Sequence, residues 1–173
     1  MIASDANLNV SADVCLASVQ QAAISSSEQL GESVAAIVRK RVPNSLPLSI
    51  LIRERNLFIQ TNKWKMFDLG GKGFLTFDEY LAMEWAGYRV IANPDSRVVT
   101  KIEFLTRFLG DPKEEFSGWS TPDQRENFET IYNSIDIIQK GFITIDDLRP
   151  RAMAAFNRMD KNHDGRLSRD ELQ

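Results

Sequence analysis

Four twelve-residue segments of this chain share one column pattern, and that repeat limits the fold more than any other feature of the sequence. The segments start at Asp68, Ala92, Asp136 and Asp160, so the first two are offset by 24 residues and so are the last two. Four residues before each start stand Trp64, Tyr88, Tyr132 and Phe156, and one residue before it stand Phe67, Ile91, Ile135 and Met159. Position 8 holds Leu75, Val99, Ile143 and Leu167; position 9 holds Thr76, Thr100, Thr144 and Ser168. Position 12 holds Glu79, Glu103, Asp147 and Glu171, and position 13 holds Tyr80, Phe104, Leu148 and Leu172. The paired apolar columns give an entering helix one buried face. The β-branched or Leu residue at position 8 suits a short strand, expected to pair with the next segment.

The fourth segment, "DKNHDGRLSRDE", carries metal-binding chemistry. A calcium ion takes six to eight oxygen ligands from a flexible loop. Alternate residues of a tight loop point inward, which selects Asp160, Asn162 and Asp164. Gly165 stands where the chain must turn sharply. Arg166 offers its backbone carbonyl, Ser168 reaches an ion through water, and Glu171 closes the loop with both carboxylate oxygens. With "AMAAFNRM" before it as an entering helix, the segment resembles the EF-hand superfamily. Across the repeat the resemblance covers residues 57–173. It implies an all-α fold with paired helix–loop–helix units, short β pairing between loops, and Ca²⁺ as the cofactor.

The other three loops keep the apolar frame and lose the ligands. Loop 1 (68–79) has Gly70 at position 3 and Lys72 at position 5. Loop 3 (136–147) has Ile138 and Lys140 there, and the shorter Asp147 at its end. Loop 2 (92–103) has Ala92 first and Arg97 in the glycine position; a register starting at Asn93 with one deletion is the alternative. Lys72, Lys140 and Arg97 either sit near the ion position or extend to solvent. In both cases loops 1 to 3 are expected to stay metal-free. "LGGKGF" lacks the G-x-x-x-x-G-K-[ST] spacing of a phosphate loop. His163 is the only histidine and stands at loop position 4, so no ordinary triad or zinc site assembles.

Only 12 residues separate the end of loop 1 from loop 2, and again loop 3 from loop 4, about 18 Å of helix and room for a single one. That spacing is similar to bacterial EF-hand proteins, lanmodulin among them. The lanmodulin signature of Pro at loop position 2 is absent from loop 4, which has Lys161 there, so the resemblance implies the spacing and not a rare-earth selectivity. Pro150 is expected in the first turn of the second connecting helix. "GDPKEEFSGWS" reads as a linker. Ser120 or Thr121, Pro122 and Asp123 open a helix with Phe128, Tyr132 and Ile135 as its core stripe.

The expected organisation is an N-terminal extension (1–56), a first pair of hands (57–109), a linker (110–119) and a second pair (120–173). In the extension, "SSSEQLGESVAAIVRKR" forms a helix with a Ser25–Glu28 capping box and Leu30, Val34, Ile37 and Val38 on one face. Arg39, Lys40 and Arg41 suit its C-terminus, a reading favoured over contact with a membrane surface. "SLPLSILIRER" alternates Leu46, Leu48, Ile50 and Ile52, a short apolar segment that packs on a lobe or a partner.

A net charge of −3 argues against a nucleic-acid binder. The single cysteine, Cys15, excludes an intramolecular disulfide, and no apolar run is long enough to span a membrane. "MIASDANLNV" lacks the basic and apolar regions of a secretory signal, as would a mature chain whose signal has been removed, so cytoplasm and bacterial periplasm both stay open. No small-molecule substrate is indicated. Two functions follow: a calcium-binding accessory or interaction protein with one competent site, or a structural adaptor that uses a degenerate EF-hand scaffold without calcium. Both imply a protein partner and no catalysis. Three basic residues in loop 4, an empty partner loop 3 and the short stretch after Glu171 set the expected affinity at a weak ~10⁻⁵ to 10⁻³ M.

Overall fold

The computed structural model describes residues 26–173. Cys15 and the Ser25 half of the expected capping box lie outside the described residues. Six α-helices follow one another: α1 (Ser26–Arg41), α2 (Leu48–Phe67), α3 (Phe77–Arg89), α4 (Lys101–Leu109), α5 (Pro122–Ile135) and α6 (Ile145–Met159). Four two-residue strands lie between them: β1 (Phe74–Leu75), β2 (Val99–Thr100), β3 (Phe142–Ile143) and β4 (Leu167–Ser168).

The columns at positions 9 and 12 have a local job. Thr76, Thr100 and Thr144 are N-caps of α3, α4 and α6, and each forms a capping box with the acid three residues on, Glu79, Glu103 or Asp147. Each box satisfies two backbone N–H groups that the first helical turn would leave open. These acids therefore serve the helix starts in all three loops.

The strands pair in an order that the sequence reading did not anticipate. β1 pairs antiparallel with β4, Leu75 opposite Leu167, and β2 with β3, Val99 opposite Ile143. Position 8 meets position 8 as expected, but across the two expected pairs of hands: loop 1 with loop 4, and loop 2 with the next loop, loop 3. The cause is the short connector. One helix, α3, joins loop 1 to loop 2 and places them at its opposite ends, where they cannot meet. α6 does the same for loops 3 and 4. Packing α3 against α6 then brings loop 1 to loop 4 and loop 2 to loop 3.

One hydrophobic core takes in residues of both expected pairs of hands. The Tyr80 and Phe77 rings lie 5.7 and 5.5 Å from Phe156. Phe104 lies 5.4 Å from Tyr132. The 110–119 segment is pinned by Trp119, whose Nε1 donates to the Gly110 carbonyl at 2.9 Å, and it ends in a short 3₁₀ turn. α5 starts after Thr121 with Pro122 in its first turn, and Tyr132 and Ile135 are buried as expected.

α1 belongs to this core. Val34, Ala35 and Val38 are buried against α3. Gly31 permits the approach, because a Cβ there would stand 3.0 Å from the Ala82 carbonyl and the Trp85 ring. The expected short apolar segment is instead the first half of α2, a continuous 20-residue helix that crosses the boundary at residue 57. Leu51, Ile52, Arg55 and Ile59 are buried at helical spacing, while Ile50 is exposed. The alternation of Leu46, Leu48, Ile50 and Ile52 was too short to separate period 2 from period 3.6. Pro150 lies in the second turn of α6, not the first. Its missing N–H leaves the carbonyl of exposed Asp146 to solvent, which makes the position tolerable.

Candidate metal centre

Loops 1, 3 and 4 share a backbone frame. Position 4 is left-handed in each, at Gly71, Gln139 and His163, and so is the position 6 glycine, Gly73, Gly141 and Gly165. The first aspartate sits under this turn. In loop 4, Asp160 accepts from the N–H groups of Asp164 at 3.1 Å and Gly165 at 2.9 Å. Asp68 does the same with Lys72 and Gly73, and Asp136 with Lys140 and Gly141. The last acid closes the ring. Glu171 accepts from the N–H groups of Lys161 and Ser168, both at 3.0 Å. Glu79 accepts likewise from Leu69 and Thr76.

At the centre of this frame the loops diverge. In loop 1 the Lys72 ammonium donates to Glu79 Oε1 at 2.7 Å, Asp68 Oδ1 at 3.3 Å and the Leu69 carbonyl at 2.6 Å. In loop 3 the Lys140 ammonium pairs with Asp147 at 2.5 Å. Burial pushes the Glu79 carboxyl up, but the hydrogen bonds from Lys72, Thr76 and Leu69 outweigh it and hold the group below the usual carboxylate range. Asp147 is held low in the same balance of burial against Lys140 and Thr144. The Lys72 ammonium is raised above its ordinary value, chiefly by its bond to Glu79. Both lysines are thus folded inward.

Loop 2 is closed from outside, and Arg97 takes the second of its two expected places. Arg97 is exposed. Arg89, from the last turn of α3, is fully buried instead. Its Nη1 donates to the Val98 carbonyl at 2.7 Å and its Nη2 to the Asn93 carbonyl at 2.9 Å and to the Ser96 carbonyl. Its Nε donates to Glu32 of α1 at 2.6 Å. The register starts at Ala92: the Asn93 N–H donates to Glu103 at 2.8 Å, as position 2 does to position 12 in loops 1 and 4. Arg89 stands before the loop, outside the repeat columns, so spacing gave no sign of it. A buried arginine whose donors meet loop carbonyls is a signal only once the fold is known.

Loop 4 has no internal cation. Asp164 occupies the place of Lys72 and Lys140, and the Asn162 amide donates to it at 3.2 Å. Asp160 is buried and Glu171 half-buried, while Asn162, Asp164 and Arg166 are exposed. Ser168 Oγ donates to Glu171 at 2.7 Å, and the hydrogen bonds from Ser168 hold the Glu171 carboxyl below its usual range. Among the described residues no three Asp, Glu, His or Cys side chains form a ready metal cluster. Loop 4 presents two acids, an amide and a carbonyl round its turn, with Glu171 folded onto the loop amides. The end of the chain is better held than expected: Leu172 is buried, its N–H donates to the Ser168 carbonyl, and its carbonyl accepts from Lys63 of α2 at 2.9 Å. The guanidinium groups of Arg166 and Arg169 lie over the rings of Phe74 and Trp64, at 4.5 and 4.9 Å.

Residues 153–173 match the family model described as EF hand, which covers the end of α6, loop 4 and the terminal turn. No curated protein and no solved structure matches the chain.

Proposed function

We propose that this protein is a non-enzymatic, calcium-binding EF-hand accessory or interaction protein that takes one Ca²⁺ in loop 4. The carrying observation is the exchange at position 5. Three loops share one frame; two fill it with a lysine ammonium, and the third presents Asp164 in its place. A frame that holds a cation in loops 1 and 3 supports an exogenous one in loop 4. Asp160, Asn162, Asp164, the Arg166 carbonyl, Ser168 through water and Glu171 supply the oxygen donors such a hard cation takes. The match of residues 153–173 to the EF-hand family supports the same reading. Loops 1 to 3 resemble hands whose ion has been exchanged for Lys72, Arg89 and Lys140. Titration of the chain with Ca²⁺, beside Glu171→Gln, tests the site: one ion is expected per chain, and none in the variant.

A second reading, a structural adaptor that works without calcium, is favoured by surface features. Ile137 and Ile138 in loop 3 are 78% and 76% exposed, and Phe116 is 93% exposed, apolar surface open to a partner chain. No helix among the described residues is long and apolar enough to cross a membrane. Native pull-down with and without chelator separates the readings, since an accessory sensor loses its captured partner in chelator and an adaptor retains it.

A further inference from the structure

α1 and α2 leave an apolar groove open between them, lined by Leu30, Val34, Ile37, Phe58 and Met66. Val34 is buried at its base, while Leu30, Phe58 and Met66 keep part of their surface open and Ile37 is 48% exposed. The volume is about 590 Å³. At about 30 Å³ per water-sized group that is room for roughly twenty, the mass of several side chains and not of one. Arg41 and Lys65 also line the groove; both are exposed, and neither pairs with a described carboxylate. Among the described residues no acid lines it. A fitting occupant brings apolar surface together with negative charge.

Residues 1–25 lie outside the described residues, and their sequence brings both. They hold Asp5 and Asp13 and no Lys, Arg or His. Leu8, Ala12, Cys15 and Val19 recur at spacings of four, three and four, the period of one helical face. Leu8 to Val19 and Leu30 to Arg41 are each eleven residues apart, about 17 Å along a helix. The chain enters α1 at Ser26, one turn before Leu30 at the end of the groove. Residues 20–25 are left for a turn, six residues within the range of about 2–8 common between packed helices. An antiparallel return along α1 brings Val19 to Leu30 and Asp5 to Arg41.

We propose that this groove is the docking site of residues 5–19 of the same chain, with Leu8, Ala12, Cys15 and Val19 against its apolar lining and Asp5 beside Arg41. The contact stands apart from the metal loops and holds whether or not calcium binds.

The test is nitroxide broadening in the full ¹⁵N-labelled chain, with the label on Ala17→Cys in a Cys15→Ser background. Position 17 is off the apolar stripe, so the label does not occupy the contact. The amide signals of Ile37, Phe58 and Met66 should broaden, more than those of α5. Val19→Asp should abolish that broadening. In the chain without label the same substitution should make Cys15 react about tenfold faster with iodoacetamide, the equivalent of one valine no longer buried. Arg41→Glu should weaken the broadening, and Asp5→Lys in the same chain should restore it, a second readout independent of the stripe. A mixture of ¹⁵N chain without label and labelled chain without ¹⁵N should show no broadening. Broadening in that mixture equal to that of the single chain assigns the groove to a second copy and overturns the proposal. Absence of broadening at the groove, or broadening retained by Val19→Asp, overturns it as well.

Discussion

The Lys72 ammonium lies 2.7 Å from Glu79 Oε1 and 3.3 Å from Asp68 Oδ1, so one side chain bridges the first and last acids of its own loop. Loop 1 is thereby closed by a tethered charge. β1 then offers β4 a fixed edge at Leu75 and Leu167. Lys72→Met should lower Tm in chelator, because Asp68 and Glu79 are left as close like charges. Lys72→Asp should lower it further and restore it with calcium, raising the calorimetric stoichiometry above that of the parent. A Lys72→Met protein as stable as the parent would show that the bridge is incidental.

Arg89 ties α1 to loop 2 through Glu32 and three loop carbonyls. Its removal leaves the half-buried Glu32 carboxylate with Trp85 Nε1 as donor and deprives three part-buried loop carbonyls of theirs. Arg89→Met is expected to cost about 3–5 kcal/mol in urea unfolding, the range for breaking a buried pair from one side. Glu32→Gln, which keeps an acceptor oxygen, should cost markedly less.

Acid should unlock loops 1 and 3. Glu79, Asp68 and Asp147 all lie below the usual carboxylate value despite burial, which pushes each upward. Carboxylates depressed in the folded state contribute stability that is complete above their unfolded value, ~4, and is lost as pH falls through the folded one. Stability in chelator should therefore be flat from neutral pH to about pH 5 and decline below it. Lys72→Met should move the onset of that decline to higher pH, as measured by urea unfolding across a pH series.

The terminal turn should matter to the metal. Lys63 and the burial of Leu172 hold the segment that carries Glu171. Lys63→Met is expected to weaken Ca²⁺ about tenfold with the stoichiometry unchanged, by loosening the residue that closes the site. Equal affinity in the variant would show that the turn is held by Leu172 alone.

Helical class and the places of the loops were legible because the aromatic and position 8 columns recur at fixed spacing. Lys72 and Lys140 were legible as intruders, since an ammonium stands where a ligand belongs, though their inward fold was not. The loop pairing was concealed: it follows from the single connecting helix, a geometric consequence that no column displays. Arg89 was concealed for a related reason. It lies outside the loop it fills, and only packing of α1 on α3 shows that its carboxylate partner is Glu32. The start of α2 was misjudged because four apolar residues at period 2 also fit a helix that buries Leu51 and Ile52.

Calcium stoichiometry tests the central claim most directly. Calorimetric titration of the 173-residue chain, beside Glu171→Gln, should give one Ca²⁺ per chain and none in the variant. Two or more ions, or one ion retained by Glu171→Gln, would contradict the assignment of loop 4 as the open site and of Lys72, Arg89 and Lys140 as the cations that close the others.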